Sequence, residues 1–378
     1  MRKNLKRRKL DIDNKFTKKL ARSVRRGVEK RSEVKEESSV EFLHSGSHTF
    51  NLALSGKARN GGWARGRVCN LVGDGSSGKS LCALELAFWC FKELSNINSK
   101  IFGKTKKVTV VYNNPEGVMD FPLVKMYGQD FVDFVEWDCI KNVEECGRDY
   151  IRRTESLNKG EFLLYIIDSW DALGSHARTE RMKKSVKDNN ELEGSYGLEK
   201  QAYAGIFFEY ISGMLSNNSC DSTLFIISQV RQKIGVTFGK KTYRTGGKAL
   251  DFYTHQVAWI AEIEKLKKTK RGFTRIYGIK SRCKVERSKV AKPFRDSDFQ
   301  ILFDYGLDDI SSMIDFIWGK GAITFDDKKY PPVRRLNFIK YIEEDKEREE
   351  RLIDMVERKW CEIEEEFSKD VSNRKKRY

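Results

Sequence analysis

The sequence predicts an α/β protein built on a mostly parallel central sheet, with a basic helical segment before it and a small α-rich region after it. Three observations carry this. Four short runs rich in β-branched and aromatic residues, "VCNLVG", "KVTVVYNN", "EFLLYIID" and "TLFIIS", alternate with longer helical patterns, as when crossover helices join parallel strands. The first run leads directly into "GDGSSGKS" and then the helical "LCALELAFWCF", a strand, glycine loop and helix in sequence. Further on, "HQVAWIAEIEKL" and "TRIYGIKSRCKVER", separated by "KKTKRG", read as an antiparallel pair, with "FQILF" as another strand.

Taken in order, residues 1–38 form a basic segment with helical spacing around "FTKKLARSVRRGVEKR", closing in the acidic, Ser-containing "EVKEESS". Residues 1–31 alone hold fourteen Lys/Arg against three acids, within a chain of formal charge +17. Such a block is either a solvated tail or an arm that attracts nucleic acid without reading its sequence. Residues 39–305 would be the core. Residues 306–378 read as mostly helical, from "DDISSMIDFIWGKG" to "EEEF", with a Glu/Lys/Arg mixture that suits an exposed helix. The longest apolar run is too short and interrupted to span a bilayer, and no secretory h-region follows the N-terminus. Eight cysteines without a CxxC pair, several inside apolar runs, suit buried thiols in a reducing compartment. Four scattered histidines argue against a His-based metal centre.

Residues Gly73, Asp74, Gly75, Ser76, Ser77, Gly78, Lys79 and Ser80 fit the G-x-x-x-x-G-K-[ST] pattern in full. Glycines let the backbone wrap around phosphates, and the following helix start adds a positive field. Lys79 is expected at the β/γ-phosphates and the Ser80 hydroxyl on Mg²⁺. Asp168, closing its strand, stands where an acid would assist Mg²⁺; a lone strand-end Asp is more often a cap for the next helix, and the adjoining glycine loop favours the metal reading. Glu116, just past a strand end, is the best-placed carboxylate to orient an attacking water, although a loop carboxylate is the plain alternative. Gln229 is read as ending the fourth strand on the same edge, where a neutral amide can sense a γ-phosphate. After it, Arg231 to Lys248 carry six Lys/Arg, four Gly and no acid.

In this order the residues resemble the RecA family of recombinases, from about Phe42 to Lys340. "GSHTFNLALSGKARNGGWARGRVCNLVGDGSSGKS" is similar to the entry into that family's ATPase core, "PEGVMD…YGQD" to its catalytic-glutamate loop, and "SQVRQKIGVTFG…TGGKALDFY" to its second DNA-binding loop. "RSKVAKPFRDSDFQILFDYGLDDISSMIDF" resembles the end of the core. The resemblance implies ATP at Gly73–Ser80 and the adjoining Leu81, Glu116 as water-activating base, Asp168 assisting Mg²⁺, Asp120 near the adenine and Gln229 as switch between nucleotide and DNA. It implies that Arg287 and Lys289 reach the ATP of an adjacent protomer, making the working unit a filament. In the basic loop it implies backbone contacts to DNA from Arg231, Lys233, Gly246 and Gly247 and an inserted Ile234, which agrees with the physics of cations, glycine N–H groups and an apolar wedge.

The sequence also departs from the family. Asn114 stands where an Asp is usual, Leu123 where a Tyr stacks on adenine, and Gln201 and Phe208 where arginines follow the first DNA loop, expected around "NNELEGSYGLEKQAY". Lys240, Lys241 and Arg244 make the second loop unusually basic and would supply the grip on DNA that the first loop, without those arginines, does not. The acidic tail of the family is absent, and "NLALSG…GG" is similar to UvsX-like phage recombinases, implying a phage or otherwise divergent member. The expectation is an ATP-dependent recombinase that forms filaments on single-stranded DNA and pairs them with a duplex. It would act in the bacterial nucleoid or in phage-infected cytoplasm, alongside single-strand-binding and loader proteins. A hexameric helicase and a weakly hydrolysing recombination mediator stand as alternatives.

Overall fold

The computed structural model describes residues 40–117, 119, 121–188, 198–232, 242–244, 247–318, 321–326 and 328–372. A ten-stranded sheet organises them. Its strands in chain order are β1 (Val68–Gly73), β2 (Lys107–Asn113), β3 (Glu136–Asp138), β4 (Glu161–Ile167), β5 (Ser222–Gln232), β6 (Thr242–Arg244), β7 (Gln256–Lys270), β8 (Phe273–Ser288), β9 (Asp296–Leu302) and β10 (Gly306–Asp308). They lie in the order β10-β9-β8-β7-β1-β5-β4-β2-β3, with β6 beside β5. The run from β7 to β3 is parallel throughout, and β8, β9 and β10 continue it antiparallel.

The four apolar runs of the sequence are thus β1, β2, β4 and β5, and β1 is buried along its whole length, as expected where helices cover both faces of a parallel sheet. On one face packs α1 (Lys79–Glu93), whose Leu81, Cys82, Leu84, Leu86 and Cys90 enter the larger core. On the other pack α2 (Val143–Glu155) and α3 (Leu198–Met214), bringing Tyr150, Phe207 and Phe208 into a second core. Phe208, at one of the positions where the family carries an arginine, is fully buried there. Of the eight cysteines, all free, five are buried.

A third core joins α4 (Asp309–Trp318), α5 (Arg335–Glu343) and α6 (Lys346–Ser372) to Leu52 and Ala58 from the start of the described chain. The C-terminal region is helical, as expected, with one small hairpin of Ile323–Phe325 and Lys328–Tyr330. Its first three residues are strand β10 of the main sheet. No helix among the described residues is long and apolar enough to cross a membrane.

Two expectations change. Gln229 does not end its strand: β5 continues to Gln232, because Val230, Arg231 and Gln232 pair antiparallel with Arg244, Tyr243 and Thr242 of β6. The glycines and cations of the stretch do not by themselves reveal this ribbon. The second change concerns the first DNA loop: residues 198–203 of the segment assigned to it are the opening turns of α3, and residues 189–197 lie outside the described part. The basic arm 1–38 lies outside it as well.

Candidate nucleotide and nucleic-acid site

Parallel register brings the strand ends together. Gly73 pairs with Gln229 on one side and with Ile260 on the other, while Ile167 pairs with Asn113 of β2 and Ile226 of β5. The phosphate loop, Asp168, the Glu116 loop and Gln229 therefore open on one carboxyl edge, where ligands of open α/β sheets bind.

The loop from Gly73 to Gly78 is shaped to receive an anion. Ser76 and Gly78 both have positive φ, 63° and 91°, and a Cβ on Gly73 would come 2.6 Å from the Ile260 carbonyl oxygen. Ser77 braces the loop: its Oγ donates to the Asp74 carbonyl at 2.8 Å, and its own carbonyl accepts from Ser281 Oγ at 3.1 Å. Gly78 caps α1 without any side-chain hydrogen bond, so the first N–H groups of this fifteen-residue helix have no side-chain acceptor and their dipole faces the loop. Lys79 Nζ donates to the Asp74 carbonyl at 2.5 Å. Burial holds its pKa below the usual lysine value, opposed by the charges of Asp168, Asp74, Asp171 and Glu116. One half-buried cation thus faces four acids.

Asp168 and Ser80 are linked through Tyr112 of β2, whose hydroxyl donates to Asp168 Oδ2 at 2.7 Å and also hydrogen-bonds Ser80. Burial, and then the Asp168 charge, push the Tyr112 pKa far up, so it remains a donor. Hydroxyl and carboxylate on neighbouring elements form a hard-oxygen set suited to Mg²⁺. Glu116 is exposed and aimed by two contacts. Its N–H donates to Asn114 Oδ1 at 3.1 Å, and its Oε1 accepts from Ser169 Oγ at 3.2 Å. Asn114 therefore shapes the turn that carries Glu116.

A cleft of about 640 Å³ extends from Gly78, Lys79, Ser80 and Leu81 to Phe121, Pro122, Met126 and Phe303, with Lys265 and Glu262 of β7 also on its lining. Asp120 lies outside the described residues. Leu123 leans on the main core instead of entering the cleft. Phe121, 39% exposed, lines the cleft and offers an aromatic face for a base. Phe121→Ala is expected to raise KM for ATP about tenfold, from loss of roughly 1–3 kcal/mol of stacking, with little change in kcat. Steady-state kinetics over a range of ATP concentrations check this.

The residues expected to meet nucleic acid divide. Gln229 and Arg231 are exposed on β5. Gly247 begins the short return helix, Gly247–Tyr253, that leads back from the loop. Lys233, Ile234, Lys240, Lys241 and Gly246 lie outside the described residues. Arg244 departs from its expected place on an exposed loop: its side chain is 7% exposed. Its Nε donates to Asp251 Oδ1 at 2.6 Å, and its guanidinium also reaches Asn70 Oδ1 and, at 3.4 Å, Thr254 Oγ1. The cation is turned inward because β6 folds back on β5 and brings the guanidinium to Asn70 in the middle of β1 and to Asp251 and Thr254. Arg287 is half-buried and Lys289 exposed, and both hold the C-terminal end of the return helix. Arg287 donates to the Asp251 carbonyl, and Lys289 to that of Phe252 at 2.7 Å. Cations there complement the helix dipole.

The sequence reading missed Tyr112, which passes for a core residue of an apolar run, and Asp171, an acid in "DSWDALG" with no motif to mark it.

A strand, a glycine loop and a helix on a mostly parallel sheet, with acids from two neighbouring strand ends, define a P-loop protein of the α/β class. The description "RecA N-terminal domain" matches residues 157–308, which include Asp168, Gln229, Arg231, Arg287 and Lys289. The chain is similar to Protein RecA of Gloeothece citriformis, 29% identical over 312 residues that cover 81% of this chain and 77% of the relative. Protein RecA of Nostoc punctiforme is 29% identical over 334 residues, 85% of this chain and 80% of the relative. Among solved structures it is similar to the crystal structure of the RadB recombinase, with a TM-score of 0.45 and 17% identity over 70% of this chain and 98% of that one. The matched description and both relatives are those of the RecA family of recombinases, which is what this chain is similar to.

Proposed function

We propose that the chain is a DNA-dependent ATPase that assembles into filaments on single-stranded DNA and exchanges strands with a homologous duplex in the cytoplasm. The observation that carries this reading is one continuous strand. Gln229, in register with Gly73 of the phosphate loop, and the basic stem residue Arg231 both belong to β5. Any shift of β5 on meeting a γ-phosphate is carried straight into the stem of the basic loop.

The roles divide as follows. Backbone N–H groups of residues 75–80 and Lys79 hold the phosphates, with Lys79 leaving the Asp74 carbonyl to do so. Ser80 and Asp168 would hold Mg²⁺, which supplies charge neutralisation between the β- and γ-phosphates. Glu116, aimed by Ser169 and Asn114, orients the water and takes its proton. Phe121, beside the site of Asp120, receives the base. Arg287 and Lys289 would reach the ATP of an adjoining protomer, which requires them to release the end of the return helix and so ties assembly to the loop. Arg231, Lys233, Lys240, Lys241 and the Gly246–Gly247 pair would grip the DNA backbone, with Ile234 as wedge. Single-strand-binding and loader proteins fit the same activity.

The test is strand exchange with ATP and with a non-hydrolysable analogue, imaged for filaments. Closed rings and unwinding of a forked duplex would point to a hexameric motor instead. In the same assay Arg231→Ala should weaken single-stranded DNA binding and lower the salt slope of log K by about one unit or slightly less. An unchanged slope removes Arg231 from the contact surface.

A further inference from the structure

Asp171 is assigned neither phosphate nor Mg²⁺ above, although its charge acts on Lys79. It sits on the single turn Trp170–Ala172 that follows Asp168. Its Oδ2 accepts the backbone N–H of Gln229 at 2.8 Å, and its Oδ1 is buried with no hydrogen-bond partner among the described residues. The topology explains why an acid is needed here. Strand β4 ends at Ile167, in register with Ile226, so β5 runs beyond its neighbour on that side. There a main-chain N–H has no ladder partner and must find another; Asp171 supplies it for Gln229. The turn is itself held. Lys200, on the first turn of α3, donates from Nζ to the carbonyls of Trp170 and of Leu173, the latter at 2.7 Å, and lies 5.5 Å from the Trp170 ring centre.

Asp171 is therefore the place where three parts of the molecule meet. Its charge acts on Lys79 of the phosphate loop and on Arg231 of the basic stem. Through Lys200 it is joined to α3, whose opening turns, residues 198–203, belong to the segment assigned to the first DNA loop. Arg231 and Lys200 face it from β5 and α3, and Lys79 from α1.

We infer that Asp171 is a positioning residue that tethers Gln229 to the nucleotide site, so that movement of the β5 stem and occupancy of the phosphate loop depend on one hydrogen bond. The meaning of that coupling rests on the functional reading above; the tether itself does not. Backbone amide exchange tests it directly, using the full chain with and without AMP-PNP and Mg²⁺, beside ATP turnover with and without single-stranded DNA. In the wild type, AMP-PNP should change the exchange of residues 226–232. In Asp171→Ala the Gln229 amide should exchange at least about tenfold faster without nucleotide, and the effect of AMP-PNP should vanish. The ratio of DNA-stimulated to DNA-free turnover should fall about fivefold or more through kcat, with KM for ATP little altered. Asp171→Asn, whose amide oxygen still accepts the N–H, should keep at least half of that ratio. Wild-type exchange in the alanine variant, an asparagine variant as defective as alanine, or no nucleotide effect in the wild type would each overturn the tether. A wild type that DNA does not stimulate, with exchange still governed by Asp171, would overturn the recombinase reading and leave the tether standing.

Discussion

Lys79→Ala is expected to lower single-strand-dependent ATP hydrolysis by about 10²–10³-fold, the scale for losing one preorganised group that stabilises transition-state charge. The site makes the loss severe. Asp168, Asp74, Asp171 and Glu116 all act on this lysine, and its removal leaves them facing an incoming triphosphate with only the loop N–H groups to offset them. ATP affinity should therefore fall together with turnover. Lys79→Arg should not rescue, since a planar guanidinium delivers its charge differently from a compact ammonium. Turnover and fluorescent-nucleotide binding measured together decide the matter; an alanine variant with wild-type turnover would remove this loop as the phosphate site.

Glu116→Gln should separate chemistry from binding. The amide can still accept the Ser169 hydroxyl, so the loop held by Asn114 and Ser169 should keep its shape. The group can no longer take a proton from water, which should reduce hydrolysis about 10²–10⁴-fold. ATP binding should be retained, and complexes with DNA should outlast those of the wild type because the ATP-bound state is no longer spent. Single-turnover hydrolysis and filament lifetime are the measurements. Equal loss of nucleotide binding would instead make Glu116 part of the binding surface, and unchanged hydrolysis would assign the water to another residue, with Asp168 the next candidate.

The two variants contrast the legible and less legible parts of the site. Lys79 is singled out as a candidate by a contiguous eight-residue pattern between a strand and a helix, because a phosphate cradle is a local feature: consecutive N–H groups and one side chain make it. Glu116 stands out in the sequence only as a carboxylate past a strand end, and its candidacy rests on more than that. Its orientation depends on Ser169, fifty-three positions away, and no local spacing encodes that. Tyr112 illustrates the same limit. In sequence it is one more aromatic in an apolar strand; parallel pairing of β2 with β4 sets its hydroxyl against Asp168.

By itself the sequence determined the strand–helix alternation, the parallel sheet with its antiparallel extension, the glycine loop between β1 and α1, the acid at the end of β4 and the basic character of the stretch after Gln229. These follow from residue periodicity and short-range chain geometry, which act over a few residues. Tertiary structure alone decided where that stretch begins and which of its cations are available. Pairing of β6 with β5 extends the strand past Gln229 and turns Arg244 inward to Asn70 and Asp251, while Arg231 stays exposed. It also decided that Asp171 would partner the Gln229 N–H, because β4 stops short of β5. A strand's unpaired edge exists only once its neighbours have taken their places.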